Sequence, residues 1–163
     1  MDPQQLGCSA AVSTSPRRVA FEVLTAVHVD DAYANLELPT AISWAKLSNR
    51  DAAFATELTY GVLRKQGSVD AVIAACSDRP KIDQPVQDVL RIGAYQLLFM
   101  RTPTHAAVDE SVSLARTVVG QSVTSFVNAV LRKVAQHSWT EWVEILAKDA
   151  APVDRLALEY SYP

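Results

Sequence analysis

The chain has 163 residues, of which 49% are hydrophobic and 20% charged, with a formal net charge of −3. That is enough apolar side chain to build the core of one ordinary domain, and it excludes general disorder. Five glycines exclude a turn-dense β fold and Gly-rich phosphate loops, two cysteines exclude a disulfide framework or a cysteine zinc site, and no apolar run reaches the 18 residues of a membrane span.

Residues 1–15 have neither the basic start nor the apolar run of a signal peptide, and read as a flexible leader. Ser15 then caps a helix with Pro16 at its first position. Val19, Ala20, Val23, Leu24 and Val27 form its apolar stripe, with Arg18 and Glu22 off it. The next helix starts at Ser48, with Asp51 in the place of a capping-box acid. Ala52, Ala55, Leu58, Thr59 and Val62 share one face, and Gly67 marks a bend or break before Val69, Val72, Ile73 and Cys76 resume the pattern.

Between Asp83 and Met100 only Asp88 and Arg91 carry charge. Val86, Val89, Leu90, Gly93, Leu97 and Met100 line one face, and Ile92 and Phe99 add apolar surface on the other. A helix apolar on most sides belongs in the middle of a bundle, with Gly93 letting a neighbour come close. Leu90, Gly93, Leu97, Val127 and Val130 are expected to be buried together. Pro103 ends that helix and Thr104 caps the next, whose inward face is Ala107, Val108, Val112, Ala115 and Val119. Gly120 stops it and Ser122 restarts a helix striped by Val123, Phe126, Val127, Val130, Leu131 and Val134. Ser138 and Glu141 form a capping box before Trp142, Val143 and Leu146, and Pro152 opens a last short helix. No strand pattern intervenes, so the chain reads as all-α.

The chemistry is sparse. His28, His105 and His137 lie on different elements without metal-ligand spacing, and Asp109 and Glu110, as helix neighbours, point about 100° apart. Cys8 lies in the leader and Cys76 on an apolar stripe, neither in the setting of an activated thiolate. The two cysteines fit a reducing, cytoplasmic compartment. Three basic pairs remain. Arg17 and Arg18 stand in a first helical turn, where positive charge is electrostatically disfavoured and a phosphate backbone would offset that cost. Arg64 and Lys65 occupy a helix end that favours bases anyway, and Arg132 and Lys133 fall off the Phe126–Val130 stripe. Taken alone, each pair reads first as ordinary solvated surface. Charge does not decide the matter, because residues 138–163 hold five acids against two bases and the rest is neutral.

The segments RRVAFEVL (17–24), ATELTYGVLR (55–64), VLRIGAYQLLFM (89–100), THAAVDESVSLA (104–115) and FVNAVLRKV (126–134) occur in the order found in NusB-like domains. The chain most resembles the N-terminal NusB-like domain of the Sun/Fmu-type (RsmB family) rRNA cytosine-5 methyltransferases. The resemblance implies a compact all-α NusB-like bundle over residues 16–137. Residues 138–163 would be C-terminal helices and a junction, LEYSYP, leading to an absent methyltransferase domain; Tyr162 stands where the family usually has His. It further implies a non-catalytic RNA-binding, substrate-positioning domain of an S-adenosylmethionine-dependent 16S rRNA 5-methylcytosine methyltransferase. Ribosomal RNA and the parent chain's own methyltransferase domain would be its partners.

The family's nucleophile is a cysteine beside proline, whereas Cys8 and Cys76 are each followed by serine. No cofactor is therefore expected in this chain, S-adenosylmethionine belonging to the missing domain, and the chain alone is expected not to be an enzyme. For RNA contact the resemblance offers Arg17 and Arg18 first, then Arg132 and Lys133, with Asn128 organising a helix contact. The alternative is a stand-alone NusB-like transcription antitermination factor or a protein-docking module.

Overall fold

The Ser15 hydroxyl accepts a hydrogen bond from the Arg18 N–H at 3.1 Å, and Pro16 takes the first helical position. The expected cap thus opens the first helix. The computed structural model describes residues 15–148 and 152–160. Among the described residues the α-helices are α1 (Pro16–Asp30), α2 (Ala34–Ala45), α3 (Asn49–Cys76), α4 (Gln84–Phe99), α5 (Thr104–Val118), α6 (Thr124–Val134), α7 (Trp139–Leu146) and α8 (Pro152–Tyr160). A 3₁₀ turn, Gln121–Val123, precedes α6, and no strand occurs among the described residues. The fold is all-α, as its periodicity implies. The expected leader up to residue 14, Cys8 within it, and junction residues 161–163 lie outside the described residues. No helix among the described residues is long and apolar enough to cross a membrane.

The chain forms two compact units divided between Tyr60 and Gly61, within α3. In the first, Val19 and Val23 of the α1 stripe pack with Leu38 of α2 and Ala55 of α3. Val27, Ala41, Ile42 and Ala45 close around them. The sequence reading placed no helix between Val27 and Ser48, yet α2 forms there, with Pro39 inside it.

In the second unit, α3 runs through Gly67 without the expected break. Gly67 is exposed and meets no neighbour, so its cost is the ~1 kcal/mol of a helical glycine. Buried Val62, Val69, Val72 and Ile73 on either side outweigh that. Helices α4, α5 and α6 pack pairwise on one another. Gly93 is their point of close approach: a Cβ there would stand 2.6 Å from Leu131 Cδ1 and 2.8 Å from Ser111 Oγ. Gly61 is a second such seat, where a Cβ would fall 2.1 Å from Tyr95 Cζ. Leu90, Gly93, Val127 and Val130 are buried as expected, but Leu97 is only half-buried. The last turn of α4 runs out of the core, and its Phe99 instead meets Trp139, ring centroids 5.1 Å apart.

Thr104 is not the cap of α5. Pro103 holds that position in extended conformation and no side chain caps the helix. Past α5, Gly120 takes φ +146°, a conformation that side chains disfavour. The Ser138–Glu141 capping box forms with hydrogen bonds of 3.0 and 3.2 Å, and the Trp142 indole donates to the Val134 carbonyl at 2.9 Å. Ser68 donates its hydroxyl proton to the Leu158 carbonyl, and Arg155 pairs with Glu144, tying α8 in place.

Cys76 is a free, buried thiol. Burial pushes its pKa up to about 11, against a smaller downward pull from Lys133. Thiolate is the reactive form, so at pH 8 the native thiol of a Cys8→Ser variant should react with Ellman's reagent about a hundredfold more slowly than the same chain unfolded in guanidinium. Equal rates would show the thiol to be accessible and unshifted.

Candidate nucleic-acid interface

Two helix starts meet in the first unit. Ser48 caps α3 as Ser15 caps α1: the Asp51 N–H donates to the Ser48 hydroxyl at 3.2 Å. Each cap is followed, two residues on, by an arginine, Arg17 in α1 and Arg50 in α3. Pro16, Arg17, Arg50, Asp51 and Phe54 line one cavity of about 240 Å³. The Arg17 guanidinium lies over the Phe54 ring, 4.9 Å from its centroid, so an aromatic face holds the charge at the cavity. Two helix N-termini carry partial positive charge at their unpaired N–H groups, and two guanidiniums add to it. Asp51 offsets part of that charge. The arrangement suits an anion that brings a planar group with it, as a nucleotide does.

Arg18 faces elsewhere. Its Nε donates to Glu22 Oε1 at 3.0 Å, one turn along α1, with the carboxylate half-exposed. Of the first predicted pair, only Arg17 lines the cavity.

The second predicted pair belongs to the other unit. Arg132 is exposed, takes a 3.2 Å hydrogen bond from its Nε to Asn128 Oδ1, and lines a cavity of about 390 Å³ with Thr104, His105, Val108 and Asp109. Asn128 thus orients an arginine on its own helix. Lys133 is exposed beside it, near enough to Cys76 to act on that thiol's charge. Arg132 and Lys133, being adjacent on α6, diverge by about 100°. Sequence reasoning missed Arg50 and Phe54. The signal was present, since Ser48-Asn49-Arg50 repeats the cap-then-arginine spacing of Ser15-Pro16-Arg17. Among the described residues no cluster of His, Cys, Asp and Glu could hold a metal ion.

Residues 14–136 match the NusB family. Over its full length the chain is 43% identical, across 167 residues, to a putative methyltransferase of Mycobacterium tuberculosis, of which it covers 36%. A probable ribosomal RNA small subunit methyltransferase B of Bacillus subtilis is 34% identical over 152 residues, with 92% of this chain and 33% of the relative covered. The transcription antitermination protein NusB of Syntrophomonas wolfei is 29% identical over 122 residues, with 72% of this chain and 91% of the relative covered. The chain therefore spans about a third of the length of the methyltransferases it matches.

Proposed function

Since the chain belongs to the NusB family, we propose that it is the RNA-binding, substrate-positioning part of an rRNA cytosine-5 methyltransferase. The observation that carries this is the convergence of Arg17, Arg50 and two capped helix starts on one cavity, beside the aromatic face of Phe54. A phosphate of structured RNA would sit against the guanidiniums and helix N-termini, with Phe54 beneath. Arg18 is an outer contact that must loosen from Glu22 to join, and Arg132 and Lys133 are a second contact on the other unit.

Methyl transfer is the work of a catalytic domain outside this chain, in the cytoplasm. The described residues do not supply the attacking thiolate of such a transfer. The one described thiol, Cys76, is buried and held protonated, the reverse of what an attacking thiolate requires. The antitermination reading is the second one, favoured by the near-complete coverage of the Syntrophomonas wolfei relative.

Filter binding of the chain to rRNA fragments at several salt concentrations tests the interface. Each phosphate contact contributes a slope of about −0.7 to −0.9 in log affinity against log salt. Replacing Arg17 and Arg50 together by Ala is expected to flatten the slope by roughly one to two units and to leave the unfolding midpoint nearly unchanged. Arg116→Ala, which loses a 2.8 Å hydrogen bond to Gln121 on the exposed surface of α5, should leave the slope alone. An unchanged slope in the double variant removes this cavity from the interface. The same result with Arg132 and Lys133 replaced would leave the protein-docking reading.

A further inference from the structure

The end of α3, the turn after it and the start of α4 enclose a cavity of about 610 Å³, lined among others by Asp70, Ser77, Arg79, Gln84, Gln87 and Arg91. Its size is that of a small-molecule site. One wall is fixed by a polar network. The Arg91 guanidinium grips Asp70 with two hydrogen bonds of 2.8 Å and reaches Asp88 at 3.0 Å. The Gln87 amide donates to Asp70 at 2.9 Å and the Gln84 amide to Asp88 at 3.2 Å. Arg91 is a tenth exposed and Asp88 not at all.

This charge pattern selects the ligand. Among the lining residues Asp70 and Asp78 stand against Arg79 and Arg91, which leaves the wall of the cavity without net charge. Charge therefore favours neither an anion nor a cation inside it. The Gln84 and Gln87 carbonyl oxygens accept no hydrogen bond from the described residues, so they can receive N–H groups. The site asks for a neutral ligand with amine donors.

The remaining feature makes that ligand flat. Arg79 lies over Phe126, its Cζ 4.0 Å from the ring centroid. The Ser77 hydroxyl fixes the turn by accepting from the Arg79 N–H at 3.0 Å and donating to the Arg79 carbonyl at 3.2 Å. One face of the guanidinium is thus covered by an aromatic ring, while the same side chain lines the cavity. The opposite face is left for a second planar group, and bases of single-stranded RNA stack on guanidinium planes in this way. Lys81, exposed on the same turn, is placed to meet the phosphate beside such a base.

We infer that this cavity takes one unstacked RNA base carrying an exocyclic amine, stacked on Arg79 and hydrogen-bonded by Gln84 and Gln87. The inference rests on the RNA-binding reading above and adds a base-reading site to its phosphate contacts.

The test is fluorescence anisotropy with labelled 12-residue single strands of A, C and U. The A and C strands should bind more tightly than U, which has no exocyclic amine. Arg79→Ala should weaken binding of the A strand about tenfold, the scale of one lost stacking contact, and Arg79→Lys should not restore it, because lysine keeps the charge but not the plane. Full rescue by Arg79→Lys would mean a phosphate contact and would overturn the inference, as would unchanged binding in Arg79→Ala or equal binding of the three strands. If the Arg17 and Arg50 variant binds normally while Arg79→Ala does not, the base site stands and the first interface falls. If the wild-type chain binds rRNA fragments but none of the strands, the base site falls and the phosphate interface stands; if it binds neither, both fall.

Discussion

Replacement of Arg91 by Met should lower the unfolding free energy by about 3–5 kcal/mol, the cost of removing one partner of a buried ion pair. Burial pulls the guanidinium's pKa down, but the hydrogen bonds and charges of Asp70 and Asp88 outweigh it and hold the group above its ordinary value. The contribution of an upward-shifted base is fully present below its unfolded pKa, so Arg91 acts at every pH at which the protein would be studied. Without the guanidinium, the fully buried Asp88 loses the ion pair with Arg91, and Asp70 loses both hydrogen bonds from Arg91. Denaturant titration followed by circular dichroism measures the loss. Replacing Asp88 by Leu in the same chain should recover part of it, because removing a buried pair altogether is cheaper than stranding half of it. A loss under about 1 kcal/mol would show the network to be solvated rather than structural.

Leu90→Ala is expected to cost about 2–5 kcal/mol, the range for a large aliphatic side chain cut back in a closed core. Leu90 is completely buried. Leu97→Ala, two turns later on the same stripe, should cost clearly less because its side chain is only half-covered. Equal losses at the two positions would place the end of α4 inside the core after all.

The contrast between those leucines shows where sequence periodicity stops being informative. A 3.6-residue repeat assigns Leu90 and Leu97 to one face, but only the length of the neighbouring helices decides where along that face cover ends. Helix α2 escaped notice for a related reason. Leu38, Ala41, Ile42 and Ala45 face the core, but Tyr33, Leu36 and Trp44 stand exposed on the other side. Two apolar faces blur the repeat, and Pro39 reads as a breaker. Gly67 misled in the opposite direction, since a glycine signals a break only when packing on either side fails to carry the helix through.

The candidate site was half legible. Arg17 stood out because its charge opposes the helix dipole. Arg50 obeys the same spacing but sits beside Asp51, whose carboxylate offsets its charge. The pairing of Arg91 with Asp70 could not be read at all: it joins residues of different helices, and no local rule links them.

The seat at Gly61 restricts the routes by which this sequence can drift. Tyr95 is buried, and its ring occupies the volume that any side chain at position 61 would need. A change at Gly61 is admissible only in a lineage that has already exchanged Tyr95 for something smaller, and that first exchange opens a void in the core. The two positions are locked in order as well as in identity: the aromatic must yield before the glycine can, and the intermediate is the least stable member of the series.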